Sequence, residues 1–205
     1  MTRIKVCGLS QVRDIEAANE AMPDYIGFVF APSRRQVTPR QAQALKKDLK
    51  PGILTVGVFV NTDPADIAAL ARQGVIDMAQ LHGDEDAETV KRVRELAGCP
   101  VIRAVRVRSA ADILAAQETA CDYLLLDTFH SGQYGGGGAA FDWSLIPPLR
   151  KPFFLAGGIG PHNAAQAISA AQPYALDASS ALETGGAKDA DKILRFVSYV
   201  RGLNT

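Results

Sequence analysis

Apolar residues along this chain follow two alternating rhythms. Short runs rich in β-branched and aromatic residues recur at RIKVC (3–7), DYIGFVF (24–30), ILTVGVFV (53–60), IDMAQL (76–81), VIRAVRV (101–107), DYLLLD (122–127), PFFLA (152–156) and YALDA (174–178). Several are almost continuously apolar, as expected of parallel strands covered on both faces. Between the runs the spacing is helical. Val90, Val93, Leu96 and Ala97 repeat at i, i+3, i+6 and i+7, and Ile193, Phe196, Val197 and Val200 at i, i+3, i+4 and i+7. Thr38-Pro39 and Asp63-Pro64 each set a capping side chain before a proline suited to a first helical turn, and Ser109 stands ready to cap the stretch after the fifth run.

Eight strand–helix units in 205 residues leave roughly 25 residues per unit, near the lower limit for a TIM barrel. A doubly wound open sheet would show fewer strands and one dominant glycine-rich turn after the first. Here the first run ends in Cys7-Gly8-Leu9 and the glycine-rich turns come late. The pattern predicts an α/β fold, one (β/α)8 barrel domain spanning 1–205, with no linker and no repeat. Gly135–Gly138 form a low-complexity patch within 128–142, between the sixth strand and the next helix. That segment is expected to be a mobile active-site loop, with a plain flexible connector as the alternative.

Composition removes several function classes. The chain is 47% hydrophobic and 21% charged, ordinary for a globular protein. Lys+Arg and Asp+Glu both number 22, so the basic surplus of a nucleic-acid or anionic-membrane binder is missing. MTRIKVCGLSQVRD offers no secretory h-region, and no apolar run reaches membrane-spanning length. Cys7, Cys99 and Cys121 are odd in number, with no CxxC pair, which argues against a disulfide framework and a zinc site. A cytoplasmic chain without nucleic-acid or membrane partners is expected, a monomer or a dimer.

In such a barrel the strand C-termini open onto one face, where active sites sit. Cys7 ends the first strand, His82 follows the fourth, Asp127 ends the sixth, Asp177 lies near the end of the eighth, and Arg34 and Arg35 follow the second. Each has a plainer reading. Cys7 fits a core cysteine, Asp127 a satisfied buried carboxylate or a cap, His82 a cap for the acidic start Asp84-Glu85-Asp86, and the arginines a solvated surface. Their convergence on one rim is the stronger signal. Gly157-Gly158 after the seventh strand and Ser179-Ser180 after the eighth occupy the positions where these barrels hold phosphate, through backbone N–H groups and hydroxyls.

Taken in order, Lys5-Val6-Cys7-Gly8-Leu9, Ser33-Arg34-Arg35-Gln36-Val37, Gln80-Leu81-His82-Gly83, Leu126-Asp127-Thr128 and Phe141-Asp142-Trp143 form a specific set. Leu155-Ala156-Gly157-Gly158, Asp177-Ala178-Ser179-Ser180 and Lys188-Asp189 continue it. The set resembles the phosphoribosylanthranilate isomerase family of tryptophan biosynthesis over nearly the whole chain. The resemblance implies an Amadori rearrangement of the aminoaldose N-(5′-phosphoribosyl)anthranilate to the aminoketose 1-(2-carboxyphenylamino)-1-deoxyribulose 5-phosphate, with no cofactor and no metal. The family's general base matches Cys7 and its general acid Asp127. The arginine that meets the anthranilate moiety matches Arg35, aligned on Val37.

These residue types suit the chemistry. Ring opening needs a proton, which Asp127 in apolar surroundings can hold nearer neutral pH. Cys7 acts only as thiolate and so needs an electropositive site, expected from Arg35 or strand-end amides. His82 and Asp177 are expected to orient the substrate, and Gly157, Gly158, Ser179 and Ser180 to cradle its phosphate.

Two departures from the family pattern stand out. Gly135–Gly138 lacks the usual threonine, and Ala181 replaces the usual glycine after the double serine, which crowds the phosphate if that backbone requires positive φ. The rivals are the analogous histidine-pathway isomerase, which carries aspartate where Cys7 stands, and a non-catalytic sugar-phosphate-binding barrel. A metal-dependent epimerase would need more strand-end ligands than His82, His130 and His162 supply.

Overall fold

The computed structural model describes residues 1–129 and 140–203. Gly135–Gly138 and His130, with the expectation of an active-site loop there, lie outside the described residues. The eight runs become eight parallel strands: β1 (Arg3–Cys7), β2 (Tyr25–Val29), β3 (Leu54–Phe59), β4 (Met78–Leu81), β5 (Val101–Val107), β6 (Tyr123–Thr128), β7 (Phe153–Leu155) and β8 (Ala175–Ala178). They pair in chain order, and β8 returns to β1 with Lys5 opposite Asp177, which closes the barrel. Outside it lie α1 (Val12–Ala21), α2 (Pro39–Lys47), α3 (Pro64–Arg72), α4 (Ala87–Ala97), α5 (Ala110–Gln117), α6 (Ala164–Ala171) and α7 (Ala190–Leu203). A short hairpin, β9 (Glu183–Thr184) and β10 (Ala187–Lys188), follows β8. No helix among the described residues is long and apolar enough to cross a membrane.

The cap residues work as their chemistry requires. Thr38 accepts the Gln41 N–H, Asp63 that of Ala65 and Ser109 that of Asp112, each satisfying a donor that the first helical turn leaves open. Asp86, not His82, caps α4 by accepting the Thr89 N–H. In that helix Val90, Val93 and Ala97 are buried, whereas Leu96 is 42% exposed. At about 100° per residue, Leu96 falls outside the sector the other three share.

The helix expected after β6 is another correction. Among the described residues the β6–β7 connection holds only a 3₁₀ turn, Trp143–Leu145, started by Asp142 accepting the Ser144 N–H. Pro147, Pro148 and Pro152 follow closely. They remove backbone donors and clash with a preceding helical turn, so an α-helix cannot run through this stretch.

The two-residue period of each strand divides the core. Ile4, Val6, Leu124, Leu126 and Leu155 pack outward against the helices. Tyr25, Val56, Met78, Ile102, Leu125, Phe154 and Ala175 fill the barrel axis from seven different strands. At the N-terminal end Phe154 meets Tyr25 edge-on with centroids 5.4 Å apart, and Tyr123 and Tyr174 close around it at 5.7 and 5.6 Å. Tyr25 and Tyr174 share a hydroxyl hydrogen bond of 2.9 Å, and Arg3 donates to Tyr25 at 2.8 Å with its guanidinium over the Tyr174 ring. The barrel is filled at one end by aromatics. Polar side chains collect at the other.

Candidate active site

Inward positions at the C-terminal ends of the strands line a pocket of about 380 Å³. Cys7, Arg35, His82, Asp127, Gly157, Gly158, Asp177, Ser179 and Ser180, the nine residues expected at the site, all border it. Arg34 does not line the pocket; it is 57% exposed and paired with Glu183.

Cys7 ends β1 beside Gly27 of β2, its register partner. A Cβ on Gly27 would stand 2.6 Å from the Cys7 sulfur, so the glycine makes room for the thiol. Burial pushes the Cys7 thiol above its ordinary range. Lys5 is the strongest opposing influence and Lys188 a weaker one, while Asp177 adds to the rise. The strongest positive influences on the sulfur are thus lysines rather than Arg35, one of the two sources expected. Arg35 is held elsewhere: its Nε donates to Glu183 Oε1 at 2.6 Å and its Nη2 to Oε2 at 3.1 Å. It lies over Gly8, whose φ is +86° and where a Cβ would come 2.5 Å from Arg35 Cδ. Only glycine admits both that backbone and that contact.

Across the pocket, Asp127 Oδ1 accepts the Thr128 N–H at 2.8 Å and Oδ2 faces His82 Nε2 at 3.2 Å. Gln80 Nε2 donates to His82 Nδ1 at 2.8 Å. That contact leaves Nε2 as the protonated nitrogen of a neutral imidazole, donating to the carboxylate. Both Asp127 oxygens therefore have hydrogen-bonding partners, a polar setting in place of the apolar surroundings expected. Gln80 was missed from the sequence. It is inward-facing on β4, two residues before His82, which follows the strand, and this periodicity is the signal that identifies it.

Asp177 Oδ2 accepts from Lys5 Nζ at 2.8 Å, and its Oδ1, like Gln80 Oε1, is buried without a partner among the described residues. Both residues line the pocket. A buried carboxylate oxygen left open there is an acceptor suited to a ligand hydroxyl.

Between the thiol and the carboxyl lie the ends of β7 and β8. Gly157 and Gly158 take φ of +76° and +66°. The Ser179 hydroxyl donates to the Cys7 carbonyl at 2.9 Å. Its proton is thus committed to fastening β1, and the expected hydroxyl contribution to an anion falls to Ser180. Ala181 is not among the described non-glycine residues with positive φ, so its methyl imposes no strain. Lys188 and Glu183, also missed, brace this rim. Lys188 Nζ donates to Ser179 O at 2.9 Å and to Glu183 Oε1 at 2.9 Å. Burial lowers the Lys188 pKa, while Arg35 and Lys188 overcome burial to hold Glu183 below the usual carboxylate range.

Gly157→Ala tests this rim. Its methyl would stand 2.7 Å from the Thr128 nitrogen, the group that fixes Asp127. With the strain of a non-glycine residue at positive φ, roughly 1–3 kcal/mol, kcat/KM is expected to fall at least about tenfold in steady-state assays, and unchanged kinetics would contradict the placement.

The polarity of this mouth defines the class: a barrel enzyme that moves protons on a small anionic molecule. Residues 4–199 match the model of a family described as N-(5'phosphoribosyl)anthranilate (PRA) isomerase. The N-(5'-phosphoribosyl)anthranilate isomerase of Endomicrobium trichonymphae is 42% identical over 203 residues, covering 99% of this chain and 100% of its own. The crystal structure of phosphoribosyl anthranilate isomerase from Thermotoga maritima is 37% identical with a TM-score of 0.87, covering 98% of this chain and 100% of that one. A phosphoribosyl anthranilate isomerase in complex with reduced 1-(o-carboxyphenylamino)-1-deoxyribulose 5-phosphate is 36% identical with a TM-score of 0.83 and the same coverage. This chain belongs to the phosphoribosylanthranilate isomerase family.

Proposed function

We propose that Cys7 is the general base and Asp127 the general acid of the family's reaction in this chain. As a member of that family, the chain converts N-(5′-phosphoribosyl)anthranilate to 1-(2-carboxyphenylamino)-1-deoxyribulose 5-phosphate in tryptophan biosynthesis. Asp127 gives its proton to the ribose ring oxygen as the C1–O bond breaks, and the anilinic nitrogen forms a Schiff base with C1. The positive nitrogen acidifies C2–H, which the Cys7 thiolate removes. The enolamine then gains a proton at C1 and loses one from the C2 hydroxyl, so no atom is gained or lost.

The observation that carries this reading is the position of Cys7 and Asp127 on one pocket, on strands separated around the barrel only by β8 and β7. The glycine–serine rim on those two intervening strands supports a phosphate held between acid and base, through the N–H groups of Gly157, Gly158, Ser179 and Ser180. Arg35 meets the anthranilate carboxylate, while Asp177 Oδ1 and His82 orient the sugar. The cytoplasmic location suggested by the unpaired cysteines belongs to the same reading.

Adding phosphoribosylanthranilate to the protein and following anthranilate-type fluorescence tests it. Sustained loss over many turnovers is expected. Loss that stops at one equivalent would instead identify a binding barrel.

A further inference from the structure

We propose that Lys5 is a positioning residue of this reaction: its ammonium, sealed in the barrel beside Cys7 and Asp177, keeps ionisation of the sulfur within reach and holds the Asp177 carboxylate with one oxygen open to the pocket. The proposal rests on the reading of Cys7 as base.

Lys5 and Cys7 alternate on β1, so both side chains point to the barrel axis, and Lys5 is 0% exposed. Its Nζ lies 2.8 Å from Asp177 Oδ2, across the register pair that closes the barrel. A buried ion pair is a poor way to stabilise a core, because desolvating both charges offsets most of their attraction and an apolar pair of similar volume serves as well or better. Packing alone therefore gives no reason for a lysine here.

The groups around the sulfur supply one. Lys5 faces Cys7 from its own strand, Asp177 from β8 and Lys188 from β10, and the β2 register partner of Cys7, Gly27, carries no side chain. Lys188 directs its ammonium at three oxygens, Ser179 O, Ser179 Oγ and Glu183 Oε1, which uses all three N–H groups. Lys5 makes one such hydrogen bond to an oxygen among the described residues and has donors left for the sulfur. Its own pKa is raised: burial works against the charge, and Asp177 and Cys7 more than offset it. An ammonium in that state favours thiolate over thiol.

Two neighbours 2.8 Å apart should then move one titration in opposite directions. The readout is the pH dependence of Cys7 alkylation by iodoacetamide, resolved from Cys99 and Cys121 by peptide mass spectrometry. Lys5→Met is expected to move the Cys7 titration up by roughly one to three pH units, with the acid limb of kcat/KM moving alongside. Asp177→Asn is expected to move the Cys7 titration down. Shifts in the same direction, or none with Lys5→Met, would overturn the proposal. Should Lys5→Met fail to fold with Asp177 unpaired, the neutral double variant Lys5→Met/Asp177→Asn replaces it. Its Cys7 titration must lie above that of Asp177→Asn alone, and coincidence of the two would also overturn the proposal. Alkylation reads the sulfur independently of turnover, so failure of Cys7 as base, judged from Cys7→Ala kinetics, is distinguishable from failure of Lys5.

Discussion

Asp127→Asn is expected to lower kcat by about 10²- to 10⁴-fold, the usual contribution of a positioned general acid. The substitution is close to isosteric. A carbonyl oxygen can still accept the Thr128 N–H that now meets Oδ1 at 2.8 Å, while the new amide N–H₂ faces His82, whose ring accepts by taking its other tautomer as the Gln80 amide turns to present Oε1 to the Nδ1 N–H. The surrounding structure is thus largely satisfied, and thermal unfolding should stay within a few degrees of wild type. What disappears is a proton that can be given to the ribose ring oxygen. Affinity for a reduced product analogue, measured by calorimetry, should change far less than kcat. A variant that retains kcat within tenfold of the parent would remove Asp127 from the acid role.

Cys7→Ala should be of comparable size for a different reason. The thiol sits at the pocket wall, partly exposed, so its removal deletes few packing contacts and should leave near-UV circular dichroism unchanged. The chemistry loses its acceptor for the C2 proton, with kcat falling by about 10²- to 10⁴-fold. The pH profile gives a second, independent reading. A base works only when deprotonated, and burial holds this thiol above its ordinary value. In the parent, kcat/KM should therefore climb as pH rises from neutrality toward that raised value, and the residual rate of Cys7→Ala should lack this limb. An identical pH dependence in both proteins would assign the limb to some other group.

Much of this molecule was legible as pattern. The runs 3–7 and 101–107 are β1 and β5 to the residue, five other strands lie within the segments read from apolar continuity, and β6 runs one residue past its segment, to Thr128. Parallel strands buried on both faces leave a strong signal, and each fixed the pocket position of the reactive residue at its end. Errors arose where local spacing was a weaker guide. Leu96 shares a helix with a buried stripe but not its angular sector, and the prolines after Trp143 rule out the helix that a regular repeat would supply.

The site divides similarly. Residues at strand ends could be placed because topology carries them to the mouth. Lys5 and Gln80 were also readable, since a polar residue two positions from a strand-end reactive group must face the axis. Glu183 and Lys188 were not. Their importance lies in contacts made by a two-stranded hairpin with Ser179, Arg34 and Arg35, and nothing in the spacing of residues 183–188 encodes a partner some 150 positions earlier. The commitment of the Ser179 hydroxyl to Cys7 was hidden for the same reason.

The aromatic floor around Phe154 bears on traffic as well as on packing. With Tyr25, Tyr123 and Tyr174 filling the far end and Arg3 laid across them, the described residues close the barrel there and leave the doorway at the rim. Each aminoketose must back out past the rim by which its precursor came in, before the next molecule can dock. Accumulating product therefore competes directly with incoming substrate, and demand downstream sets how often the doorway stands vacant.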